Sequence, residues 1–187
     1  ADLVGTLGAW FVRGQQEMGV VGVAKHFPGH GVTTLDSHER LPVVRLTRSE
    51  RSSILKPFIA AIDAGIHAVI SAHIVYENLD PNLPASVSPA IVTGLLRNQF
   101  SFDGIVITDA IEIHEPATAL TELNVVRNSF DAGTDIILAA RNHNVLPLIQ
   151  EATRLIYSGI ESEERLNASV RRILRVKLQG MMGDLER

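Results

Sequence analysis

Three places in the chain gather side chains that can do chemistry. Lys25-His26-Phe27-Pro28-Gly29-His30-Gly31 puts a cation and two imidazoles in a segment broken by proline and glycine. Asp36-Ser37-His38 sets a carboxylate two residues before an imidazole. A carboxylate bonded to one ring nitrogen fixes the tautomer and raises basicity, which leaves the other nitrogen to exchange protons. Asp109 follows the wholly apolar Ile105-Val106-Ile107 and so stands where a buried strand meets the edge of its sheet. Each place also has a plainer reading. Asp109 can be a helix cap, and Asp36 can cap a turn with His38 in solvent. A metal is a further option, because zinc sites use histidines with a carboxylate. His26, His30 and His38 fall four and eight residues apart with Asp36 among them. Against it, Pro28-Gly29 breaks the helix that would put His26 and His30 on one face. His67 and His143 read as strand-start and loop residues without a role.

The elements that must position these groups alternate between two hydrophobic periods. Short β-branched runs predict buried strands over 20–25, 67–73, 104–109 and 134–139. They lack polar alternation, so both faces are covered, and each is followed by a helical segment, which is the mark of parallel βα units. Helical spacing covers 3–18, with Leu3, Leu7, Trp10, Phe11 and Gly14 on one face. A second helix starts near Ser49 and ends at Asp63-Ala64-Gly65. Ser88-Pro89 fits an N-cap followed by proline at the first helical position, leading into Ile91, Leu95 and Leu96. Further helices are predicted over 118–131, 145–157 and 162–179. Polar groups collect where the strands end, at Lys25-His26, Ser71-Ala72-His73, Thr108-Asp109 and Ala140-Arg141-Asn142. In parallel α/β folds that edge is where ligands bind. Four strands make either a small open sheet or half of a (β/α)8 barrel, which needs eight strands and about 250 residues.

Composition narrows the function classes. With 187 residues, 45% of them hydrophobic, the chain can build a sizeable core. A net charge of −4 and no basic stripe argue against a nucleic-acid partner. No apolar run approaches the length of a membrane span. The absence of cysteine removes disulfides, thiol nucleophiles and thiolate metal sites, and leaves the compartment open.

The motifs together resemble one family. Lys25 to Gly31, then Asp36-Ser37-His38 and Leu41-Pro42, looks like the bacterial β-N-acetylglucosaminidase (β-hexosaminidase) branch of glycoside hydrolase family 3. Ile107-Thr108-Asp109-Ala110 resembles that family's nucleophile strand, and Ala132-Gly133-Thr134-Asp135 and Val170-Arg171-Arg172-Ile173-Leu174 also fit, in the right order. Where Ile113 stands, family members commonly carry methionine. The resemblance implies that residues 1–187 are the later part of a TIM-type (β/α)8 catalytic barrel, about four parallel βα units. The first half, with the family's upstream sugar-binding aspartate and arginine, would then be supplied by the same gene product or a partner chain. Asp109 would be the nucleophile and Asp36–His38 an acid/base dyad. Lys25 and His26 would bind sugar hydroxyls, and His30 would belong to the motif without a chemical role. The expected activity is a retaining exo-β-N-acetylglucosaminidase that needs no cofactor or metal. Its substrate would be a peptidoglycan-derived or chitin-like sugar. Two rival readings are a sugar-binding fragment that does not turn over, and a metal-dependent hydrolase using His26, His30 and His38.

Overall fold

The computed structural model describes residues 1–33, 41–111, 121–140 and 144–185. Asp36, His38, Ile113 and the stretch 141–143 lie outside the described residues.

Helix α1 (Asp2–Glu17) leads into strand β1 (Val23–Phe27), and α2 (Arg48–Asp63) leads into β3 (Ala68–Ser71). A wide-turned π-helix, Ala90–Gln99, precedes β5 (Ile105–Ile107). The three strands form one parallel sheet in the order β1-β3-β5. Consecutive parallel strands joined by helices are the expected right-handed βαβ arrangement. Helices α3 (Glu122–Ala132), α4 (Leu146–Tyr157) and α5 (Glu163–Leu185) complete the chain. Among the described residues no helix is long and apolar enough to cross a membrane. The architecture is α/β with parallel strands, consistent with a fragment of a TIM-like fold.

Local signals set the helix ends. Thr47 and Glu50 form a reciprocal capping box at the start of α2, so that helix begins one residue before the predicted Ser49. Ser88 Oγ accepts from the Ile91 N–H at 3.2 Å and caps the π-helix from outside its first turn. Thr121 caps α3, and Gly133, at φ +94°, ends it in the left-handed region that glycine tolerates.

The fourth predicted strand, 134–139, needs correction. It meets β5 only at an isolated parallel bridge, Ile107 to Ile136. The Ile136 N–H bonds to the Val106 carbonyl, and the Thr108 N–H to the Ile136 carbonyl. The next donor, Leu138 N–H, turns instead to Thr108 Oγ1 at 2.9 Å. A side-chain hydroxyl thus takes the bond that a ladder carbonyl would have received, and regular pairing stops there. Two other strands were not foreseen. The two-residue β2 (Val43–Val44) and β4 (Val75–Tyr76) pair in parallel as a separate ribbon.

The main core lies between the sheet and helices α2 and Ala90–Gln99. Phe27, fully buried, meets Phe58 and Phe100 edge-on with centroids 5.3 and 6.3 Å away. Gly104 lies at the entrance to β5, where a Cβ would come within 2.5 Å of both the His67 carbonyl and the Phe102 ring. That carbonyl accepts the Ile105 N–H that begins the β3–β5 pairing. Gly104→Ala must therefore push the two strands apart, at a cost of about 1–3 kcal/mol of stability, the usual scale for overpacking. A denaturant midpoint unchanged by this substitution would contradict the packing described here.

Candidate active site

The carboxyl ends of β1, β3 and β5 gather the polar side chains of the candidate site. Pairing of β1 with β3 runs evenly from Val23–Ala68 to Lys25–Ile70, then slips, so that Phe27 rather than His26 stands opposite Ser71. A slip of this kind adds a residue to one strand and re-aims its side chain. The Lys25–His26 and Phe27–Pro28 bonds are cis. Phe27 goes into the core, while His26 presents its Nε2 3.9 Å from Oδ2 of Asp109.

Asp109 is pinned by main chain on both sides. Its N–H donates to the Ser71 carbonyl at 3.2 Å, and its Oδ1 accepts the Ala110 N–H at 2.9 Å. Ser71 is fully buried, and its hydroxyl donates to the Ile107 carbonyl at 3.1 Å, which locks the ends of β3 and β5 together. The Asp109 side chain is 13% exposed, so it is shielded at the end of the sheet yet open to a ligand. A gap of 3.9 Å is too long for a hydrogen bond between ring and carboxylate, and one ligand hydroxyl can bridge the two.

The structure thus brings His26 and Asp109 together across three strands. Lys25 is exposed, and its ammonium group makes no hydrogen bond among the described residues. With His26 and His30 it lines one end of a cleft of about 510 Å³ between α1, β1 and α2. Apart from Gln15 the rest of the cleft is apolar, with Val4, Phe11, Val12, Ile54 and Phe58, and Asp109 is not on its wall. The cleft therefore reads as a packing surface that the basic motif borders. The His26 and His30 rings meet edge-on at 5.5 Å. Among the described residues no group of three histidines, cysteines or carboxylates could hold a metal ion. His73, at the end of the second predicted strand, is fully buried with Nδ1 3.2 Å from Ser86 Oγ, and so belongs to the core.

Sequence reasoning missed the supporting residues. Ser71 and Thr108 stand out only as polar side chains ending apolar runs. Tyr76, fully buried, donates its hydroxyl to the Gly29 carbonyl at 2.9 Å. Gly29, at φ +145°, has no room for a Cβ, which would lie 2.8 Å from Ile54 Cβ. The glycine in the basic motif is thus required by both conformation and contact.

Comparison with known proteins shows the family. Residues 1–176 match the model of the glycosyl hydrolase family 3 N-terminal domain. A β-hexosaminidase of Shewanella frigidimarina is 36% identical over 143 residues, covering 75% of this chain and 42% of that protein. A glycoside hydrolase family 3 β-N-acetylglucosaminidase from Paenibacillus superimposes with a TM-score of 0.91 at 36% identity, over 97% of this chain and 35% of its own. A β-N-acetylhexosaminidase from Beutenbergia cavernae gives 0.82 at 30% identity, over 90% and 50% respectively. The chain spans about two fifths of the length of the curated relatives it matches. With the motifs, the parallel sheet and the family match in agreement, the chain belongs to glycosyl hydrolase family 3, as part of its N-terminal domain.

Proposed function

We propose that this chain carries the nucleophile of a retaining exo-β-N-acetylglucosaminidase that removes terminal β-linked N-acetylglucosamine from peptidoglycan-derived or chitin-like sugars. The observation that carries this reading is the Asp109 carboxylate, held by main-chain hydrogen bonds at the end of a buried strand with His26 3.9 Å away. Family membership and the names of the matched relatives support the substrate class.

The reaction runs in two displacements. Asp109 attacks the anomeric carbon while His38 protonates the departing glycosidic oxygen, giving a glycosyl-enzyme. His38 then takes a proton from water, which attacks the same carbon and frees Asp109. Most such enzymes pair two carboxyl groups. A histidine suffices where a carboxylate stabilises its imidazolium, which is the part of Asp36. Lys25 and His26 hold the sugar hydroxyls and orient C1 toward Asp109.

The same reading makes this chain the later part of a barrel, with three paired strands and a fourth run that meets β5 at one bridge, the other units coming from the same gene product or a partner chain. Unpaired apolar surface at both ends supports it. Leu3, Leu7, Trp10 and Phe11 of α1 are exposed beside β1, as are Leu146, Ile149 and Tyr157 of α4 at the opposite end. Surface of this kind calls for a covering element.

Following the product of the complete gene acting on an aryl β-N-acetylglucosaminide by proton NMR tests the reading. Release of β-N-acetylglucosamine before mutarotation supports a retaining enzyme, and release of the α-anomer overturns it. His38→Ala should lower kcat/KM on an unactivated disaccharide by about 10²- to 10⁴-fold, the scale of general acid–base catalysis. Full activity of that variant would remove His38 from the mechanism.

A further inference from the structure

The two strands that the sequence does not announce, β2 and β4, bracket the segment on which the acid/base dyad is proposed. On one side of that segment stands Gly29, whose carbonyl accepts the buried Tyr76 hydroxyl at 2.9 Å across 47 residues of chain. On the other side stands β2, in register with β4 as Val43–Val75 and Val44–Tyr76. The Val75 N–H donates to the Pro42 carbonyl at 2.9 Å, and the Glu77 N–H to the Val44 carbonyl at 3.0 Å. Asn78 Oδ1 accepts the Leu46 N–H at 2.8 Å and extends the same seam. Tyr76 thus holds the upstream flank by its side chain, while its neighbours Val75 and Glu77 hold the downstream flank by their main chain.

We propose that Tyr76 is a positioning residue for the reaction: with β4 it clasps both flanks of the segment carrying Asp36 and His38, and so fixes where that segment leaves and rejoins the fold. The inference rests on the acid/base reading above. Its geometry is independent of that reading and lies wholly among described residues. The clasp is well built for the purpose. The Tyr76 ring is fully buried in the main core, which fixes the position of its hydroxyl. Burial pushes the phenol above its ordinary pKa, so it remains a donor throughout the working pH range. Gly29 is also the one residue of the basic motif that accepts no Cβ, because Ile54 closes on it. Its carbonyl therefore has a fixed place to meet. β4 also follows β3 directly in the chain, and the end of β3 is what holds Asp109. Gly29, β2 and Asp109 are thereby all tied to one stretch, Ser71 to Glu77.

A positioning role predicts an effect that depends on the leaving group. An activated leaving group departs without a proton, whereas a poor one needs the acid. In the full-length protein, Tyr76→Phe keeps the packed ring and removes only the hydroxyl. The variant is compared with the parent on β-N-acetylglucosaminides running from 2,4-dinitrophenyl to a disaccharide. We expect near-parental kcat/KM at the activated end and a loss of about tenfold at the disaccharide, the size of one mispositioned hydrogen-bonded group. The exposed Asn78→Ala, which leaves the core alone, should tilt the series in the same direction by less, and it serves as the test if Tyr76→Phe does not fold. A loss of equal factor across the series, or no loss anywhere, overturns the clasp. If the parent protein hydrolyses none of the series, the glycosidase reading falls, and the catalytic role of the clasp falls with it.

Discussion

Asp109→Ala in the product of the complete gene should lower hydrolysis of β-N-acetylglucosaminides by about 10⁴-fold or more, the scale expected when a covalent nucleophile is deleted. The expectation follows from how Asp109 is held. Its main-chain N–H is tied to Ser71 and one carboxylate oxygen to the Ala110 N–H, so the other oxygen has one direction in which to act, toward His26. A side chain with this support is placed for attack before any ligand arrives, and positioning of that kind lowers the barrier. Little of the fold depends on the carboxylate itself, because β3 and β5 are joined by main-chain bonds and by the Ser71 hydroxyl. The thermal midpoint should therefore change little while turnover collapses. Azide sharpens the test. In Asp109→Ala it can enter the space left by the carboxylate and displace the leaving group from the α face, yielding the α-glycosyl azide. Formation of that product identifies the missing group as the nucleophile. A variant that retained more than a tenth of parental activity would contradict the assignment.

Asp135→Ala should be strongly destabilising although Asp135 has no direct contact with the site. The Asp135 side chain is fully buried, and both its oxygens are occupied. Oδ2 accepts from Arg97 Nη2 at 2.7 Å and from the Val106 N–H at 2.9 Å. Oδ1 accepts from Ser169 Oγ at 2.6 Å and from Arg172 Nη1 at 3.1 Å. Arg165 reaches the same centre through Ser169 and the Thr134 carbonyl. Burial lowers the pKa of Arg97 from its ordinary value, and Asp135 acts against that shift. Removing the carboxylate leaves this guanidinium, 11% exposed, without its counter-ion. Breaking one partner from such a buried pair costs about 3–5 kcal/mol, a large share of the 5–15 kcal/mol that holds a typical domain. The network also ties α5 and the π-helix to the start of β5, so the loss should reach the whole sheet. Denaturant unfolding of parent and variant checks it. A shift in stability below about 1 kcal/mol would show that water or a rearranged arginine replaces the carboxylate.

Much of this architecture is legible in the chain. The apolar runs around Val69 and Val106 announce two buried strands; the run at 20–25 announces the third, but Val20, Val21 and Val23 are exposed because β1 is the edge of the sheet. Asp109 declares itself as an acid closing such a run. The basic motif announces a loop because proline and glycine break it, and His26 comes out of it beside Asp109. What was not legible depends on contacts distant in sequence. Thr108 ends the pairing of the fourth run by spending its hydroxyl on Leu138, and no local pattern marks that choice. β2 and β4 are two residues each, too short for any periodicity. Asp135 stands in a recognisable Gly-Thr-Asp segment, but its three arginines come from positions 97, 165 and 172 on two helices. Tyr76 reads as one more aromatic in an apolar stretch until its hydroxyl is seen on Gly29. Charge partners and buried donors are chosen by the fold as a whole, so a single sequence names the side chains without naming the pairs.

The most direct measurement of the central claim is covalent trapping on the product of the complete gene. A 5-fluoro N-acetylglucosaminyl fluoride slows both displacements while its activated leaving group lets the first proceed, so the glycosyl-enzyme accumulates. Peptide mass spectrometry then locates the sugar. One adduct per chain is expected, on Asp109, lost when that residue is replaced by alanine. An adduct on any other residue, or folded protein that binds N-acetylglucosamine and never becomes labelled, would contradict it.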